Sequence, residues 1–119
     1  HKAIRRQRQM CIRDSYKGDD EGFIHKLYDV VGTGVGIIES VPAALSVAYY
    51  AQDPNLSCLL CANMAGDTDT IGAMATAVCG AFTGMGRIKP EYIRTLRQQN
   101  DADFDHYIRI LEKGRERFA

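Results

Sequence analysis

The chain has 119 residues, 45% hydrophobic and 25% charged, with 15 basic and 15 acidic residues and no Trp. That describes one small domain or a piece of a larger one, and it excludes a disordered tail, a collagen-like repeat and a disulfide miniprotein. Zero net charge removes the polybasic footprint expected of a nucleic-acid binder.

The balance hides an asymmetry. Residues 1–13 contain Lys2, Arg5, Arg6, Arg8 and Arg13 and no acid, so they sum to +5 and the remainder to −5. Residues 1–17 read as a basic leader unrelated to the body, and Arg5–Ser15 resembles read-through from a sequencing adapter. The acidic body, residues 18–119, begins at Gly18-Asp19-Asp20. No apolar run follows the basic start, so no signal peptide is expected. The longest uncharged stretch, Thr70–Gly86, has 17 residues and is rich in Gly, Ala and Thr. A membrane helix needs roughly 20 mostly apolar residues, so no span is expected. Cys11, Cys58, Cys61 and Cys79 lack an export signal around them, which favours a reducing cytoplasm.

From Glu21 onward the periodicity is helical. Phe23, Ile24, Leu27, Tyr28 and Val31 fall on one face. Gly32-Thr33-Gly34-Val35-Gly36 then puts three glycines into five residues, a loop suited to close backbone approach. Ser40 is a good N-cap and Pro42 suits a first turn, so a mostly buried helix is predicted through residue 51. Asp53-Pro54-Asn55 breaks it, and Leu56–Met64 is a second apolar helix. Behind the turn Ala65–Thr70, a Gly/Ala-rich helix over Ile71–Met85 would let neighbours pack close to its backbone. Lys89-Pro90-Glu91 opens a helix with Ile93 and Leu96 inward, and Asp101 or Asp103 caps a last one carrying Phe104, Tyr107, Ile108 and Leu111. With no strand alternation, the prediction is an all-α orthogonal bundle. Met64, Met74 and Met85 read as core.

Chemistry concentrates at Gly66-Asp67-Thr68-Asp69-Thr70. Two carboxylates and a hydroxyl on one short turn are hard oxygen donors of the kind Mg²⁺ and Ca²⁺ prefer, at a helix start that favours negative charge. The plain alternative is that Asp and Thr are ordinary N-caps. The turn is too short for an EF-hand and lacks its closing Glu. Cys58 and Cys61 form a CxxC with neither a second pair nor a βαβ setting, and read as core packing. His25 and His106 read as solvated surface.

Residues 29–113 resemble the C-terminal part of the ADP-ribosylglycohydrolase family. The resemblance lies in Gly32-Thr33-Gly34-Val35, in Glu39-Ser40-Val41-Pro42-Ala43-Ala44, and in the run from Ala62 through the acidic turn to Met74. It implies an all-α fold around a two-magnesium site, with Asp67, Asp69 and Thr70 as metal ligands. It implies that Gly34, Val35 and Gly36 lie against ADP-ribose, Val35 making the apolar contact. The partner would be an ADP-ribosylated protein or an ADP-ribose-type small molecule, with no nucleic acid and no membrane. The implied reaction is magnesium-dependent hydrolysis of the glycosidic bond joining ADP-ribose to a side chain. Ala65 stands where the family usually has a second Gly. The family's Thr-Asp-Asp ligand run and candidate acidic base belong to its N-terminal half, so no catalytic base is expected here. Residues 18–21 read as a solvated helix start. The resemblance therefore implies a fragment inactive in isolation, and the competing expectations are a non-catalytic binding or structural module and an unrelated helical bundle.

Overall fold

A computed structural model describes residues 15–118. The leader residues 1–14 lie outside the described residues. Six helices follow in order: α1 Asp20–Val30, α2 Ile37–Ala51, α3 Pro54–Asn63, α4 Thr68–Thr83, α5 Pro90–Gln99 and α6 Phe104–Phe118, with a 3₁₀ turn Met85–Arg87 after α4. No strand occurs among the described residues, so the all-α prediction is met. The chain divides into two compact units, one ending at Ile88 and one starting at Lys89.

In the first unit α4 packs against both α2 and α3. Phe23 and Leu27 of α1, Val47 of α2, Leu60 of α3 and Ile71 of α4 are buried together with Ala43, Ala44 and Ala75. Complete burial of Leu27, Val47 and Ile71 contributes about 1.5–3 kcal/mol each. The small residues serve helix approach as predicted, but unequally. A Cβ on Gly72 would lie 3.2 Å from the Cys61 Cβ, whereas one on Gly80 would meet nothing within 4 Å. Tyr50 joins α2 to α1: its ring stacks on Phe23 at 3.9 Å, and its hydroxyl lies 2.8 Å from an Asp20 carboxylate oxygen and 2.9 Å from the Tyr16 carbonyl. The single hydroxyl proton is shared between two acceptors. Tyr16, within the stretch read as leader, packs against the core.

Three local readings are corrected. Helix α2 starts at Ile37, because the Gly36 carbonyl already accepts the Glu39 and Ser40 amides at 2.8 and 2.9 Å. Ser40 is therefore buried inside the helix, and Pro42 sits in its interior with Ser46 Oγ donating to the Pro42 carbonyl at 2.8 Å. Met85 follows the end of α4 at Gly84 and is exposed, unlike Met64 and Met74. Cys58 is exposed, while Cys61 and Cys79 are buried. Burial pushes the Cys61 thiol up to about 11, which suits packing and not nucleophilic or redox work.

The second unit is a pair of amphipathic helices. Pro90 occupies the first turn of α5, and Asp103 caps α6 by accepting the His106 amide at 2.9 Å. Arg97 donates to Asp105 across the pair at 2.8 Å. No described residue of either helix is fully buried, and Leu96, expected to point inward, is half exposed. Two short helices lack the surface to enclose a core.

Candidate functional site

The glycine loop after α1 and the acidic turn before α4 lie 30 residues apart in sequence and meet in the fold. Thr33 joins them. Its Oγ1 donates to the Ala65 carbonyl at 2.6 Å, and its own carbonyl accepts the Asp67 amide at 2.7 Å. Gly66, between those partners, has φ +98°, and a Cβ there would collide with the Thr33 carbonyl. Only glycine fits on both counts.

Glu39, in the first turn of α2, holds the loop from its other side. Its Oε2 accepts the Gly34 amide at 2.8 Å. A Cβ on Gly32 or Gly34 would approach that same oxygen to 2.6 or 2.7 Å. At Gly32 the φ of +85° calls for glycine, while at Gly34 an added Cβ would press on the end of the Glu39 side chain, which would have to move and so give up its present hold on the loop. Gly36 is different: its φ is −69°, and a Cβ there would meet only Ile38 Cγ2, at 3.9 Å. Val35 is 85% exposed. Val35 and Gly36 form the accessible crest of the loop and lead directly into the N-terminus of α2, an environment that favours anions.

At the acidic turn, Asp67 is half-buried while Asp69 and Thr70 are exposed in the first turn of α4. Asp67 stands at the N-cap position, yet its side chain accepts no capping hydrogen bond. Asp19, Asp53 and Asp103 do cap their helices, taking the amides of Gly22, of Asn55 and Leu56, and of His106. The ordinary-cap alternative therefore does not account for Asp67. The Asp69 carboxyl is held below the usual carboxylate range, first by the Thr70 amide, then by a hydrogen bond to the Asp67 side chain and by its own amide. The two carboxyl groups are in reach of each other.

The donor chemistry fits a share of a hard-cation site, two carboxylates and a hydroxyl. Among the described residues no group of three or more His, Cys, Asp or Glu could hold a metal ion. Six-coordinate Mg²⁺ would need further oxygens from water, substrate or additional chain. Beside the turn, a cavity of about 620 Å³ lies against Ile24, Tyr28, Leu59, Leu60 and Ala65 with Asp20, Glu21 and His25 on its lining; Asp67, Asp69 and Thr70 do not line it.

Sequence reasoning missed Thr33 and Glu39 as members of this arrangement. A signal for Thr33 existed: a β-branched hydroxyl between two glycines is a poor choice for an exposed loop, and Thr33 is only 2% exposed.

An all-α bundle with a glycine loop locked to an Asp-x-Asp-Thr turn defines the class, and comparison names it. The ADP-ribosylglycohydrolase family model matches residues 2–118, so the chain belongs to that family. The uncharacterized protein YegU of Escherichia coli (strain K12) is 50% identical over 97 residues, which make up 81% of this chain and 29% of YegU. The chain thus spans less than a third of that relative's length. No solved structure matches the chain. No helix among the described residues is long and apolar enough to cross a membrane.

Proposed function

We propose that this chain supplies one wall of a magnesium-dependent ADP-ribosyl glycohydrolase site, which hydrolyses the glycosidic bond between ADP-ribose and a protein side chain. The observation that carries the reading is the junction at Thr33, which sets an accessible loop crest beside an Asp67 carboxylate that caps nothing. Asp67, Asp69 and Thr70 would hold the cation, one share of a two-ion site. When bound, the metal would orient ribose hydroxyls and water and stabilise developing charge. The crest at Val35 and Gly36 would take the nucleotide: the Val35 side chain as apolar contact, the Gly36 backbone for close approach, and the start of α2 for the diphosphate. Gly34 would keep the loop in shape through its amide on Glu39. Cys58, Cys61 and Cys79, the free cysteines among the described residues, suit the reducing cytoplasm we assign to it.

Calorimetric titration of the purified chain tests this. ADP-ribose should bind in the presence of MgCl₂, weaken at least tenfold on EDTA treatment, and weaken similarly in Asp69→Ala. No turnover should accompany binding, because the family resemblance puts the candidate general base in the N-terminal half of the fold and this chain resembles the C-terminal part. Turnover by the chain alone, abolished by Asp69→Ala, would contradict the shared-site reading. A non-catalytic binding module is the second reading, favoured by the lack of a complete acidic cluster among the described residues. It predicts ADP-ribose affinity indifferent to magnesium and to Asp69→Ala.

A further inference from the structure

Thr33 makes two hydrogen bonds across the junction and is 2% exposed. Both of its oxygens are spent on the acidic turn, Oγ1 on the Ala65 carbonyl and the main-chain carbonyl on the Asp67 amide. Those two bonds bracket Gly66, whose missing side chain leaves the space that Thr33 fills. On the other side, Glu39 fixes the Gly34 amide, so residue 33 sits between one clamp from α2 and another at the start of α4. Its neighbours Val35 and Gly36 remain exposed. Thr33 is thus a buried threonine beside an exposed crest, bonded to the turn across 32 residues of sequence.

We propose that Thr33 is a positioning residue that fixes the register between the loop crest and the Asp67–Asp69–Thr70 turn. A divalent cation taken by the turn is then felt at the crest, and a diphosphate ligand on the crest meets the turn in one set geometry. The inference rests on the reading of the turn as a cation site. Thr33→Val keeps the shape and removes only the Oγ1 bond, leaving the Ala65 carbonyl without that donor. Thr33→Ser keeps the hydroxyl.

The test is amide chemical-shift mapping of the ¹⁵N-labelled full chain during titration with MgCl₂ alone. In the wild type, the amides of Asp69 and Thr70 and those of Gly34, Val35 and Gly36 should shift along one saturation curve. In Thr33→Val the turn should still respond, while the loop shifts fall several-fold. Thr33→Ser should restore them. Loop shifts undiminished in the Val variant would overturn the proposal. So would a wild-type loop that stays silent while the turn responds, a result that needs no variant to fold. A turn that does not respond to MgCl₂ at all would remove the cation reading and this inference together. A responding turn with a silent loop removes this inference alone.

Discussion

Gly66 and Gly80 make opposite demands although both are glycines in or beside α4. At Gly66 the backbone has φ +98° and the Thr33 carbonyl occupies the space of a Cβ. Gly66→Ala should cost more than about 1 kcal/mol, from the strained conformation and the collision together. At Gly80 the backbone is helical and a Cβ would meet nothing within 4 Å. Gly80→Ala should therefore stabilise by about 0.4–1 kcal/mol, because it restricts the unfolded chain at no cost in the folded one. Urea unfolding of both variants beside the parent reads the two signs directly. A neutral Gly66→Ala would mean that the junction with Thr33 is looser than its geometry. The sequence already carried the cue that glycines here serve close approach. Which glycine serves which neighbour was not legible, since Thr33–Ala65 and Glu39–Gly34 are set by tertiary contact.

Helix boundaries show the same division between local and distant causes. The start of α3 was close to legible, because Asp53 and Pro54 form a cap and first-turn pair whose action is confined to four residues. The start of α2 was misplaced by four residues, its cap being Gly36 and not Ser40. Ser40 and Pro42 carry first-turn preferences, but the Gly36 carbonyl captures the chain earlier and Glu39 is held by the loop. Asp53 also gives α3 a pH dependence. The Leu56 amide, the Asn55 side chain and amide, and nearby Arg87 hold its carboxyl below the usual range. A depressed folded value means stabilisation that is full above the unfolded carboxylate value of about 4 and lost as the pH falls below it. Asp53→Ala should cost about 1 kcal/mol at pH 7. Asp53→Asn should retain most of the cap and flatten the acid limb. Urea midpoints at pH 3 and pH 6 for parent and Asn variant would show it, and equal acid sensitivity in the two would assign the effect elsewhere.

At the scale of the molecule, the arrangement leaves apolar faces uncovered. Helices α2 and α4 are apolar almost all round, and only part of each circumference is used in the core. Leu45 and Tyr49 on α2, with Val78 and Phe82 on α4, line a groove of about 550 Å³ floored by Ala48 and Cys79. Phe82 is 82% exposed. Leu59, Val35, Ile37 and Ile38 are exposed elsewhere on the same unit. Monomeric soluble domains seldom present so many large apolar side chains in contiguous stretches. For the chain by itself the expected consequence is concentration-dependent self-association, visible in sedimentation velocity as a sedimentation coefficient that rises with loading. Leu45→Lys combined with Phe82→Lys should shift the population toward monomer with a small change in the thermal midpoint, because Phe82 lies in water and Leu45 is half exposed. A parent that sediments as a clean monomer at every concentration would mean that the groove is too shallow or too curved to be buried by another copy.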